Sequence, residues 1–413
     1  MAKRNIGARP HCSVFVYNHG VMHEHFDGHR AYNHIAKLAA HRRLPGTPGE
    51  SIAQAYIRGA GEEIGVPMRS EEFTYSITPL TVFLPGVCLL LAAICLAGSF
   101  TYLWGDYLVM IPGLVLLLAI YLSFKWSGVF ERFGAKGGDR RSLNLIGEIN
   151  GEEPSGTIIL SAHYDSKSQT MPVMVRAGLF MLGFGSAILL GFWLAVAGIL
   201  EAAGISVLGN RAVFFVSLVP ALFLFLLVFN LTGNKSPGAL DNASGEAVIL
   251  ELARVLAMKP LRNFDVIVAS FGCEEVGLCG SINYLLEHEE ELRSRPCFML
   301  NFDMPFSAAG RLFLNTGFEL PPRFTSKRLN ELAVKAAADK GLEIKGVYLP
   351  VGAAADHMPW VKHGFEATGF VSVATFIHRA GDSLDKINRE GLRRAGEVAL
   401  EVVRALDREY SPD

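Results

Sequence analysis

The residues best suited to chemistry are histidines and carboxylates that each follow an apolar run or a tight turn: His163 and Asp165, Asp241, Glu274 and Glu275, Asp303, and His378. Singly, each has an ordinary use. Asp241 could cap a helix, Glu274-Glu275 could open one, and His163 with Asp165 could form a surface pair. Together, two imidazoles and several carboxylates with no thiolate make a donor set that suits zinc with an open coordination position. Five ligands exceed what one catalytic zinc takes, and fit two metals about 3.5–4 Å apart that share a carboxylate. Adjacent Glu274 and Glu275 cannot both face one metal, so one can bind while the other reaches a water. Cys273 and Cys279 flank the pair, but the set is complete without them.

The elements that must position these residues alternate between strand and helix. Strands are expected at Glu72 to Tyr75, Asn144 to Ile149, Thr157 to Ala162, Asp265 to Phe271, Phe298 to Phe302 and Val371 to Ile377. Four of these end at the chemistry-bearing residues, and ligands in open α/β sheets bind beyond the carboxyl ends of strands. Helices are expected at Arg30 to Ala40, after Gly46-Thr47-Pro48-Gly49 up to Ile64, at Gly245 to Leu256 and at Leu392 to Leu406. Continuous apolar strands between helices predict a mostly parallel sheet covered on both faces.

With these motifs in this order, the chain resembles the co-catalytic di-zinc aminopeptidases of metallopeptidase clan MH, which include bacterial leucyl aminopeptidases. The resemblance runs through Leu44-Pro45-Gly46-Thr47-Pro48-Gly49, Ser161-Ala162-His163-Tyr164-Asp165-Ser166 and Asp241-Asn242-Ala243-Ser244-Gly245. It continues through Glu274-Glu275-Val276-Gly277, Asn301-Phe302-Asp303-Met304 and His378-Arg379-Ala380-Gly381-Asp382-Ser383. It implies a three-layer α/β/α zinc-peptidase domain with a mixed, mostly parallel sheet, holding two zinc ions per chain. By the same resemblance Asp241 bridges the metals, His163 and Asp303 complete one, and Glu275 and His378 the other. Asp165 would orient His163, and Glu274 would be the general base that deprotonates the water held between the metals. Asp356 and His357 match a segment that lines the family's substrate pocket. There this chain departs, with Ala355 where the family usually has Ser.

A second departure is larger. Charged residues are only 19% of the 413 and hydrophobic residues 50%, against about 25% charge in an ordinary soluble domain. The excess sits in four charge-free runs, near 80–103, 107–124, 177–200 and 212–231. Each is long enough to cross a hydrocarbon core of about 30 Å as a helix. Tyr102, Trp104 and Tyr107 flank the turn of the first pair, as an interfacial belt would. Lys and Arg gather at the opposite ends, which predicts a cytoplasmic catalytic domain under the positive-inside rule. The expected organisation is an unstructured extension over 1–28, which carries His23 and His25, and peptidase segments at 29–78, 127–170 and 234–413. Transmembrane hairpins at 79–126 and 171–233 separate these segments, in an integral protein of the inner or plasma membrane. No secretory signal peptide is legible at the start.

The function expected is therefore a membrane-embedded zinc aminopeptidase acting on peptides, hydrophobic or membrane-derived ones if the four helices roof the site. A mere anchoring role for the helices is the alternative. His163-Tyr164-Asp165-Ser166-Lys167 also resembles the glutaminyl-cyclase branch, a one-zinc acyltransferase. A non-catalytic receptor on the same fold would have eroded ligands, and here all five and the base are present. The lipid bilayer is an expected partner. Nucleic acid is not, since 38 basic against 40 acidic residues leave a net charge of −2 and no basic footprint. The 6 cysteines form no disulfide framework.

Overall fold

The computed structural model describes residues 24–350 and 353–410. Eight strands form one mixed sheet: β1 (Arg69–Tyr75), β2 (Arg140–Ile149), β3 (Gly156–His163), β4 (Phe264–Phe271), β5 (Cys297–Asp303), β6 (Leu312–Phe318), β7 (Ile344–Leu349) and β8 (Glu366–Val371). The order is β1-β2-β4-β3-β5-β8-β6-β7, and the two-residue strand Arg323–Phe324 pairs with β6. The central four, β4-β3-β5-β8, are parallel. β3 is buried at every position, as a strand covered on both faces must be.

The helices are α1 (Gly28–Leu38), α2 (Pro48–Glu63), α3 (Leu84–Trp104), α4 (Met110–Lys125), α5 (Ser127–Lys136), α6 (Val173–Ala202), α7 (Arg211–Ser217), α8 (Val219–Leu227), α9 (Ser244–Met258), α10 (Cys279–Leu292), α11 (Lys327–Asp339), α12 (His357–Lys362) and α13 (Arg389–Glu409). On one face of the sheet, α1, α9 and α13 share a core with Leu160, Val268 and Leu300. On the other, Tyr284, Leu285 and Trp360 pack on Ile159 and Met299. α9 is buried from Ser244 to Leu256, so its one internal ion pair, Arg254–Glu251 at 2.7 Å, is also shielded. Glu251 further accepts from the amide of Asp27, and Asp27 in turn caps α1.

Three features differ from expectation. First, the sheet strand ends at Val371, not Ile377. Val371 pairs with Asp303, the last residue of β5, so residues beyond it have no ladder partner and leave the sheet as a loop. Second, the fourth apolar run is not one long helix. It is α7 and α8, broken at Leu218. Pro220 has no amide hydrogen to continue the ladder, and Ser217 spends its hydroxyl on Phe214 O and Ser99. The pair covers Arg211–Leu227, shorter than the three helices long and apolar enough to cross a membrane: Pro79–Trp104, Tyr107–Lys125 and Val173–Ala202. Third, the extension expected over 1–28 lies mostly outside the described residues, but Phe26 within it is buried and packs close to Gly396.

The apolar helices form their own cluster around Leu91, Leu116, Leu194 and Leu224. Their outer faces present bare side chains such as Leu189, Phe192 and Val216. Small residues let backbones meet: a Cβ at Gly113 would come within 2.8 Å of Gly191 O, and one at Gly198 within 2.7 Å of Tyr107 O. Each insertion leaves the α/β body through a closed neck. Ser168–Gln169 pairs with Thr232–Gly233 at the second, and the Ser76 amide donates to Gly134 O at the first.

Candidate metal centre

The site is assembled at the carboxyl edge of the parallel strands. β3 lies between β4 and β5, so their ends are neighbours. β3 delivers His163 at its last position, with Asp165 two residues on, and β5 ends on Asp303. Past β4 the chain turns through Gly272 and Cys273 to Glu274 and Glu275. Asp241 comes from the turn that leads into α9, and His378 from the loop after β8. Cys273, Met304 and His378 all have left-handed backbone (φ 59°, 55° and 56°). For non-glycine residues that conformation costs about 1–2 kcal/mol each, and here it lies beside or within the ligand set.

Two groups of donor atoms result. His163 Nε2 lies 3.4 Å from Asp241 Oδ1 and 3.6 Å from Asp303 Oδ1. His378 Nε2 lies 3.0 Å from Asp241 Oδ2 and 3.2 Å from Glu275 Oε2. Asp241 gives one oxygen to each group, and all five residues are buried. Neither ring nitrogen of His163, nor Nδ1 of His378, has a hydrogen-bond partner. Such orphaned buried nitrogens are costly unless something else binds them. Two divalent cations sharing Asp241 fit this donor set, with no thiolate required.

Glu274 belongs to neither group; its Oε2 lies 3.8 Å from His163 Nε2. Burial, with Glu275 and Asp303 nearby, raises its carboxyl well above the usual range against the pull of His163. Burial also acts on Glu275, but Lys167 and His378 hold that carboxyl below its ordinary value. Asp241 is held low in the same way by His163 and His378. Environments that push adjacent carboxylates apart are how sites separate a proton carrier from a ligand.

Asp165 does more than face His163, from which its Oδ1 stands 3.5 Å from Nδ1. Its two oxygens accept the amides of Glu274 and Glu275, both at 3.1 Å, and so place the glutamate pair. Several residues outside the expected set also hold the site. Lys167 Nζ lies 2.9 Å from Glu275 Oε2 and donates to Glu275 O at 2.8 Å. Asp382 accepts the amides of Leu240 and Asp241. Asn242 ties the Asp241 turn to the end of β5 through Phe302 O and the Met304 amide. Arg43, fully buried, donates to the carbonyls of Leu38, His41, Tyr164, Pro237 and Gly238. It thereby clamps the segments leading to Asp165 and Asp241. Lys167, Asn242 and Asp382 stand within the sequence motifs, but nothing in those motifs shows their partners. Arg43 has no sequence signal, since a buried arginine looks like any other in the chain.

The ligands open onto a cavity of about 350 Å³. Its far wall is Ala353–Ala355 with Leu349, and its near wall includes Leu80, Val173 and Arg176, from the roots of the apolar insertions. Asp356 and His357, expected to line it, do not. Both are wholly buried behind it. His357 Nε2 meets Asn315 Oδ1 at 3.0 Å, and burial lowers its pKa to about 3. The first turn of α12 packs down onto the sheet, where His357 touches the Cβ position of Gly369. That packing leaves only the alanines before it to face the cavity.

Residues 227–403 match the model of peptidase family M28. The chain is 31% identical over 188 residues to the aminopeptidase YwaD of Bacillus subtilis, covering 43% of this chain and 40% of that protein. It is 39% identical over 74 residues to the rat aminopeptidase NAALADL1, 16% of this chain and 10% of that protein. It therefore spans less than half the length of these relatives. Among solved structures, a zinc aminopeptidase from Bacillus subtilis superposes with a TM-score of 0.56 at 17% identity, covering 93% of this chain and 96% of that one. A glutaminyl cyclase from an Acidobacteriales bacterium superposes with a TM-score of 0.54 at 15% identity, over 96% and 100%. At such identities these two establish the fold. The match to peptidase family M28 covers the stretch that carries Asp241, Glu274, Glu275, Asp303 and His378, so the similarity falls on these candidate site residues.

Proposed function

We propose that the protein is a membrane-embedded, zinc-dependent aminopeptidase. The observation that carries this is the shared Asp241: one buried carboxylate serves two complete ligand groups, with a separate buried glutamate beside them. His163 and Asp303 would hold one zinc and Glu275 and His378 the other. Bound there, the ions supply Lewis acidity to the scissile carbonyl and acidify the attacking water. Glu274, its carboxyl raised by burial and 3.8 Å from His163 Nε2, takes the proton from that water and returns it to the leaving amine. Asp165 keeps Glu274 in reach by holding its amide. Lys167 offsets the charge of Glu275.

α3, α4 and α6 cross the bilayer in this reading, and α7–α8 return the chain toward the α/β body. That body faces the cytoplasm, where the basic ends of the insertions lie. Metal analysis and a peptide-cleavage profile of the protein in detergent or nanodiscs test the assignment. About two zincs per chain with release of N-terminal residues supports it. One zinc with cyclisation of N-terminal glutamine would replace it by the glutaminyl-cyclase reading, and a chain with neither zinc nor turnover would be a receptor. Single cysteines introduced at Gly105 and at Asp339 are expected to label from opposite faces of the membrane.

A further inference from the structure

Beside the metal cavity lies a second one, of about 310 Å³, and its walls are nearly all apolar. It is built where the apolar helices meet the α/β body. Leu84 and Val87 come from the first turn of α3, Ser123 and Phe124 from the last turn of α4, Phe130 from α5, and Phe180 and Phe184 from the near end of α6. The remaining wall is Val276 and Gly277, directly after the glutamate pair. Leu80 and Gly277 line both cavities, so the two adjoin across these residues, with Glu275 on the metal side.

Most of this cleft is made from residues at the roots of the two insertions. α5, which closes it, is fixed to the catalytic body: Glu131 meets Lys362 of α12 at 3.1 Å, and Asn283 of α10 donates to Ala135 O. The position of the cleft is therefore set relative to the metals. An exopeptidase keeps the terminal residue of its substrate at the metal end of the cavity, so a longer chain must leave by another exit. The exit that passes Leu80 and Gly277 is apolar and ends at the level of the membrane helices.

Building on the aminopeptidase assignment, we propose that this cleft seats a run of apolar residues just beyond the scissile bond. The substrates are then hydrophobic peptides drawn from the bilayer, recognised at their second to fourth residues as well as their first. Transfer of such side chains from water into an apolar cleft is favourable, which gives the preference its physical source.

The test uses the full-length protein in nanodiscs and peptides that all begin with Leu. Residues 2–4 are either apolar or polar, and a parallel set varies only residue 1. The readout is the ratio of kcat/KM for apolar over polar peptides, which cancels any general loss of folded enzyme. A ratio of tenfold or more is expected for residues 2–4. It should collapse toward one in Ser123→Trp, which fills the cleft, and in Val87→Asn, which makes it polar. A wild-type ratio near one, or a preference confined to residue 1, overturns the proposal while leaving the aminopeptidase assignment standing. Absence of hydrolysis of every peptide by a zinc-loaded protein would instead overturn that assignment. Retention of a phospholipid in native mass spectrometry that Ser123→Trp displaces, with the ratio unchanged, would show that the cleft holds a lipid tail, and the proposal fails.

Discussion

At the scale of single residues, the two glutamates divide one job by their surroundings. Glu275 has Lys167 and His378 to favour its charge against burial, whereas Glu274 has burial and other carboxylates to oppose it. Glu274→Gln is expected to keep about two zincs per chain by elemental analysis and to lose roughly 10²–10⁴-fold in kcat, the usual worth of a general base. A variant with near-normal turnover would remove Glu274 from that role. Asp241→Asn should lose metal, because the amide keeps one oxygen, turns a non-ligating NH2 toward the other group and removes the negative charge that both groups share. Lys167→Met leaves all five ligands in place but removes the partner of Glu275. The expected result is metal affinity weaker by about 10–100-fold, read by competition with a chelator, with kcat at saturating zinc changed far less. These roles were partly legible in the chain. His163, Asp303 and Glu274-Glu275 announce themselves because each closes an apolar strand. Asp382 and Lys167 stand in the quoted motifs but show no partner there, since their partners are 142 and 108 residues away.

At the scale of elements, regular segments followed the sequence where one force dominated. β3, β4 and β5 are mostly apolar runs and α13 carries a helical stripe, so each is visible with ends off by a few residues. The mostly apolar run Val371 to Ile377 reads as a strand that ends at His378. The ladder stops earlier, since its neighbour β5 ends opposite Val371. α8 shows the same limit: composition marks an apolar run, but Pro220 and the Ser99–Ser217 hydrogen bond divide it. Helix packing offers a direct check. Gly191 meets α4 so closely that a Cβ would stand 2.8 Å from Leu117 and 3.2 Å from Gly113 O. Gly191→Leu must separate α6 from α4, at a cost of about 1–3 kcal/mol. A thermal melt in detergent should show the transition lowered by several degrees, with zinc content unchanged below it.

At the scale of the whole molecule, strands from before, between and after the insertions pair in one sheet, and the insertions leave through necks that are themselves hydrogen bonded. Replacing residues 79–126 and 171–233 with short loops should therefore leave a folded, zinc-binding domain, detectable by circular dichroism and metal content. Its cavity would lack Leu80, Val173 and Arg176, so hydrolysis of hydrophobic peptides should fall more than that of polar ones. Equal changes for both would mean that the helices only anchor the enzyme. The sequence by itself determined the donor set, its order along the chain and the confinement of apolar excess to a few runs, because residue type and local periodicity are properties of neighbours in the chain. Tertiary structure alone decided that Asp241 serves two groups, that Asp165 and Arg43 hold the ligand loops, and that Asp356 and His357 stand behind the cavity. It also decided that the roots of the apolar insertions form one of the cavity's walls. Each of these is a contact between segments distant in the chain, or a consequence of where a neighbouring strand stops, and no local pattern encodes either.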